Sequence, residues 1–155
     1  VASLNKKKFN RYDFSRLHPS GNLGAQLKTV EDLMITGNKI PFINENQKMK
    51  NALKIITNKK LGVLIVKNKL GRTTGIITDG QIRRAIQRNK DLQSLKVKEV
   101  MTKNPISIDK NILAAKALSL MNDQKITCLC VTSKNIKNKT VGILHIHNIL
   151  ESNIH

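Results

Sequence analysis

Gly75-Ile76-Ile77-Thr78-Asp79-Gly80-Gln81-Ile82-Arg83-Arg84-Ala85 is the stretch on which the reading of this chain turns. An apolar run of strand length stops at Thr-Asp-Gly, and two arginines follow within about one helical turn. Such a strand-to-helix junction gathers a hydroxyl, a carboxylate, free backbone amides and two fixed cations, a set suited to a ligand with phosphate and sugar hydroxyls. An altered copy lies 67 residues later, Gly142-Ile143-Leu144-His145-Ile146-His147-Asn148-Ile149-Leu150.

The copy extends well beyond the junction. Val30-Glu31-Asp32-Leu33-Met34 matches Val97-Lys98-Glu99-Val100-Met101 at an offset of 67, and Pro41-Phe42-Ile43 matches Pro105-Ile106-Ser107 at 64. Ala52-Leu53 matches Ala117-Leu118, and Leu64-Ile65-Val66 matches Leu129-Cys130-Val131, both at 65. The gaps fall where loops belong, so the chain holds a duplication of about sixty residues.

Within each unit the periodicity alternates. Met49, Ala52, Leu53 and Ile56 stand at helical spacing, as do Ala114, Ala117, Leu118 and Met121. Asn46 and Asp109 precede these helices as expected N-caps. The apolar runs Leu61–Val66 and Cys128–Val131 read as strands buried on both faces. Second strands follow at Thr73–Thr78 and Thr140–His145, then short helices starting near Gly80 and Asn148. The order strand, helix, strand, strand, helix occurs twice, an α/β (α+β) arrangement. One unit cannot cover its own sheet, so the two should pack face to face around a shared core with pseudo-twofold symmetry.

Composition narrows the function classes. The chain has 155 residues and a formal charge of +18, yet its 22 lysines are scattered among asparagines and aromatics make up only 3%. Bases would have little to stack on, and no nucleic-acid-binding motif is present, so the charge reads as compositional bias. No apolar run is long enough to span a bilayer and no signal peptide opens the sequence, which points to a soluble cytoplasmic protein. Val1-Ala2-Ser3, without an initiator methionine, reads as the start of a fragment. Cys128 and Cys130 fall on one side of a strand, where a disulfide between them is geometrically poor; two reduced buried thiols are expected, and no metal site.

Two copies of Val-x-(Asp/Glu)-(Leu/Val)-Met before a Pro, a helix, an apolar strand and Gly-Ile-(Ile/Leu)-(Thr/His) resemble a tandem pair of cystathionine-beta-synthase (CBS) domains over about residues 30–150. Four stretches are similar to the C-terminal part of D-arabinose 5-phosphate isomerases, which join a sugar-isomerase (SIS) domain to a CBS pair: His18–Gly24, Thr78–Arg84, Lys125-Ile126-Thr127 and Gly142–His147. The resemblance implies an SIS remnant over 1–28, a first CBS domain over 29–92 and a second over 93–155. It implies interconversion of ribulose 5-phosphate and arabinose 5-phosphate by the parent enzyme, on the route to the lipopolysaccharide sugar Kdo. His18 would be that enzyme's acid/base, inactive in a fragment without the rest of the SIS domain.

The ligand-binding positions implied are Thr78, Asp79, Gly80, Gln81, Arg83 and Arg84 in the first copy, and Thr127, His145, His147 and Asn148 in the second. Nucleotide-binding members carry an Asp that holds the ribose diol where Gln81 and Asn148 stand here. Asp79 would cap the following helix or meet Arg83, and one of Arg83 and Arg84 would face the cleft. No cofactor is assigned; the regulatory ligand implied is an adenosine or cytidine nucleotide or a nucleotide sugar. The partners implied are a second copy of the chain, giving a homodimer, and a tetramer in the full-length parent, with no nucleic acid and no membrane. Two functions stand side by side: a nucleotide-sensing regulatory module, or a purely structural dimerisation module with no ligand.

Overall fold

A computed structural model describes residues 23–59, 61–88 and 91–154. His18 and the rest of the proposed SIS remnant up to residue 22 lie outside the described residues. Two short helices open the described chain, α1 (Leu23–Gln26) and α2 (Val30–Leu33). The first repeat supplies β1 (Phe42–Asn44), α3 (Met49–Lys59), β2 (Val63–Lys67), β3 (Thr73–Thr78) and α4 (Asp79–Arg88). The second begins with α5 (Val97–Val100) and β4 (Thr102–Lys103). It continues with β5 (Ser107–Asp109), α6 (Ala114–Gln124), β6 (Cys128–Thr132), β7 (Gly142–His145) and α7 (Ile146–Leu150).

The two sheets have orders β1-β2-β3-β4 and β5-β6-β7. In both, the first strand runs parallel to the second and the third antiparallel to it. The alternation along the central strands explains how the sheets stack. Val63 and Ile65 of β2 meet Cys128 and Cys130 of β6 and Ile143 of β7 in a core between the sheets. Leu64 and Val66 turn the other way onto α3 and α4, and Leu129 and Val131 onto α6 and α7. Each central strand is therefore apolar at every position, because both of its faces are covered. The two repeats do pack face to face on a common core, as their pattern implies.

Sequence repeat and packing unit are not the same thing. Val30 is fully buried in the core of the second repeat, with Leu33 and Met34 against it, while Val97 is fully buried in the core of the first. The backbone makes the same exchange. Ile35 bridges to Ile143 of the second sheet, and β4 completes the first sheet by pairing with β3. The Val30 and Glu31 amides donate to the carbonyls of Ile112 and Lys110, at 2.8 and 2.9 Å. Those of Val97 and Lys98 donate to Gln47 and Glu45 at the same distances. Each repeat thus lends its opening arm to the other.

The exchange corrects the expected helix caps. Asn46 and Asp109 do not cap α3 and α6, which start later, at Met49 and Ala114. Asp109 instead accepts the Asn111 amide, and its counterpart Asn44 accepts that of Asn46, each turning the chain just after a strand. The first amide of each helix is satisfied by the opposite arm: Met49 N–H donates to Leu95 O and Ala114 N–H to Lys28 O, both at 2.8 Å. A backbone carbonyl from a segment distant in sequence does the work of a capping side chain.

Candidate functional site

The ends of β2, β3, β6 and β7 that lie together in the two sheets open into one cleft of about 560 Å³. It straddles the pseudo-twofold relation, because both strand-to-helix junctions reach it. The floor is apolar, formed by Val63, Ile76 and Cys128 with Leu61, Ile106 and Ile126. The polar rim carries Thr78, Asp79, Gly80, Gln81 and Arg84 from the first repeat and Lys125, Thr127 and His145 from the second.

Seven of the residues implied by the sequence thus converge: Thr78, Asp79, Gly80, Gln81, Arg84, Thr127 and His145. Arg83 is exposed on α4 outside the lining, as is His147 on α7, and the half-buried Asn148 also lies outside it. The two arginines are adjacent on a helix and so point about 100° apart, and only Arg84 can look inward. A β-carbon at Gly80 would lie 3.3 Å from an Arg84 guanidinium nitrogen, which places that cation over the helix start. Asp79 is the first residue of α4 and makes no ion pair with Arg83; its amide donates to the Gly62 carbonyl at 3.1 Å.

Gln81 does not stand free for a ligand. Its side-chain oxygen accepts the Thr78 amide at 2.8 Å, while its own amide reaches the Thr78 hydroxyl at 3.4 Å. This is the reciprocal cap of a Thr-x-x-Gln sequence. The other end of the side chain donates to the Thr102 hydroxyl on the exchanged arm. Asn148 repeats the arrangement at the second junction, accepting the His145 amide at 2.9 Å. Both residues standing where a ribose-binding Asp is usual in nucleotide-binding members are therefore helix caps first.

The two histidines are close, though not by lying along a strand. β7 ends at His145 and α7 begins at Ile146, so His145 Nδ1 accepts the His147 amide at 3.2 Å. The rings stack at 4.8 Å with planes 15° apart. Burial, together with the nearby His147, holds the His145 pKa below its ordinary value. The rim then carries the cations Arg84 and Lys125 against the single carboxylate of Asp79, an excess suited to an anionic ligand. Sequence reasoning did not place Thr102, Asn104 and Pro105 in the site; they come from the connection between repeats, and only the arm exchange brings them there. Among the described residues no cluster of His, Cys, Asp and Glu could hold a metal, and no helix is long and apolar enough to cross a membrane.

The family model of the CBS domain matches residues 30–88 and 97–154. The chain belongs to the CBS domain family, as a tandem pair. It is 36% identical over 155 residues to the arabinose 5-phosphate isomerase KdsD of Yersinia pestis, covering 99% of this chain and 46% of that protein. The chain thus spans about half the length of the curated relatives it matches. Two solved CBS structures, each 22% identical, share the fold. One is CBSX2 in complex with AMP, with a TM-score of 0.69 over 81% of this chain and 95% of that one. The other is the CBS pair of MJ0100 in complex with 5′-methylthioadenosine and S-adenosyl-L-methionine, with a TM-score of 0.71 over 81% and 94%.

Proposed function

We propose that this CBS pair is the ligand-sensing module of an arabinose 5-phosphate isomerase, and that its ligand is an adenosine or cytidine nucleotide or a nucleotide sugar. The observation that carries the reading is the cleft itself, in which an apolar floor, a helix start and the Arg84 guanidinium converge from both repeats. An apolar slot for a base beside a cationic helix start for phosphate is the division of labour a nucleotide requires. The similarity to KdsD proteins and the nucleoside ligands of CBSX2 and MJ0100 support it.

On this reading the residues up to about 28 end a SIS domain, His18 belongs to its active site, and the CBS domains span 29–92 and 93–155. The parent interconverts ribulose 5-phosphate and arabinose 5-phosphate in the cytoplasm for lipopolysaccharide synthesis. The pair associates as a homodimer within a tetrameric enzyme, and the fragment alone does not turn over sugar phosphate. A thermal-shift series with AMP, ATP, CMP and CMP- or UDP-linked sugars tests the ligand. A ligand that binds only the folded state at 100 times its Kd adds about 2.7 kcal/mol. One of these compounds is expected to raise Tm by several degrees; a flat response to all of them removes the sensing role.

A second reading is a structural module without ligand. The engagement of Gln81 at both ends favours it, since a ribose would have to compete with Thr78 and Thr102. The same series separates the two.

A further inference from the structure

A second cavity, of about 410 Å³, lies further along the sheet pair from the nucleotide cleft, with Asn104 and Pro105 lining both. Register places it there: the cleft lies at the Val63–Thr78 and Cys128–His145 ends of the ladders, the second cavity near Thr73 and Thr132. Three lysines of the β6–β7 loop, Lys134, Lys137 and Lys139, line it beside the hydroxyls of Ser133 and Thr140. None of its described lining residues is Asp or Glu. The three lysines make no ion pair with any described carboxylate.

The loop that carries these cations is pinned. Thr73 N–H donates to Asn138 O at 2.7 Å, Ile136 N–H to Ser133 O at 3.0 Å, and Val141 N–H to Val131 O at 2.8 Å. The Thr73 and Thr140 hydroxyls share a hydrogen bond of 2.6 Å across the two sheets. Like charges on a free loop would spread apart; here folding holds them around one concavity, so the ordering cost of gathering them is met before any ligand arrives.

We propose that this cavity is an anion site for a compact polyanion of the inorganic diphosphate class. The three ammonium groups supply the charge, and the Ser133 hydroxyl, which makes no hydrogen bond among the described residues, donates to a phosphate oxygen.

The test is calorimetric titration of the chain with sodium pyrophosphate at about 0.15 M salt, where interactions beyond about 8 Å are screened. The variant K137Q/K139Q is compared with K50Q/K54Q on the exposed face of α3, which changes net charge equally. The expected result is that the loop pair weakens binding by about tenfold or more, that Ser133→Ala weakens it about threefold without changing charge, and that K50Q/K54Q stays within about twofold, with Arg84→Ala titrated alongside to locate the anion. Equal losses in the two lysine pairs would reduce the effect to diffuse attraction by a highly charged chain. A loss concentrated in Arg84→Ala would put the anion in the nucleotide cleft, and absence of binding at millimolar pyrophosphate would remove the site. Each of these outcomes overturns the proposal.

Discussion

Arg83 and Arg84 are the same residue type on the same helix, yet they face different surroundings. Arg84 lies over the start of α4 inside the cleft and Arg83 lies outside it. Arg84→Ala should therefore weaken the best nucleotide found by thermal shift by about 1.5–3 kcal/mol, the range for a hydrogen bond to a charged group, and Arg83→Ala by less than about 0.5 kcal/mol. Calorimetry on the two variants decides it; equal effects would mean that the phosphate does not meet α4 as described. His145 gives a pH signature. Its pKa is held below the ordinary 6.5, so the fold favours the neutral ring, and that contribution is present above about pH 6.5 and lost as pH falls below it. Protonation also removes the Nδ1 lone pair that accepts the His147 amide. Tm should decline as pH falls below about 6.5, and His145→Asn, whose capping oxygen does not titrate, should flatten that decline.

Among elements, the β3 and β7 strands each carry a glycine that the opposite arm requires. A β-carbon at Gly75 would lie 2.5 Å from Met101 Sδ and 2.8 Å from the Thr102 carbonyl oxygen. One at Gly142 would lie 2.5 Å from Met34 Sδ and 3.0 Å from the Ile35 carbonyl oxygen. A methionine can bend away, but a paired backbone carbonyl cannot. Gly75→Ala and Gly142→Ala should each cost about 1–3 kcal/mol in chemical denaturation, the range for overpacking, and a neutral result would show that the arms are loosely held. Strand β6 makes a further prediction. Burial pushes the Cys128 thiol up to about 12 and the Cys130 thiol to about 11, from an ordinary value of 9.0. Both favour the protonated form in the fold, so their contribution is whole below about pH 9 and is lost as pH rises through 11 and 12. The native protein should resist thiol-specific labelling at pH 8, with both cysteines reacting only after denaturant is added; fast labelling of either would show that β6 opens locally.

At the scale of the whole molecule, neither repeat is complete alone. A fragment ending at residue 92 lacks Val97 and β4, and a fragment starting at residue 93 lacks Val30. Each half should show no cooperative thermal transition by circular dichroism, while an equimolar mixture should regain one; a cooperative melt of either half by itself would contradict the exchange. How much of this was legible beforehand follows from the same geometry. The repeat, the doubly buried strands and the shared core were readable, because alternation along β2 and β6 reports local burial directly. Thr78, Thr127 and His145 were named repeat by repeat, and that they line one cleft shows only once the two sheets are stacked. The inward choice between Arg83 and Arg84 was not, since adjacent helical residues differ only in which side the helix turns to its sheet. Nor were the caps of α3 and α6, because the carbonyls that serve them, of Leu95 and Lys28, come from across the molecule and leave no mark in the helix's own sequence.

The crossed arms also set an order of events during synthesis. When β3 and α4 of the first repeat leave the ribosome, the Val97 arm that closes their core follows close behind Arg88. Meanwhile the Val30 arm has emerged with no core to enter until β6 and β7 follow. The first repeat can therefore close as soon as its arm emerges, whereas the core that takes Val30, and the face of β2 that meets β6 and β7, stay open until those strands follow. A chaperone that shields aliphatic grooves would find its longest opportunity in that interval.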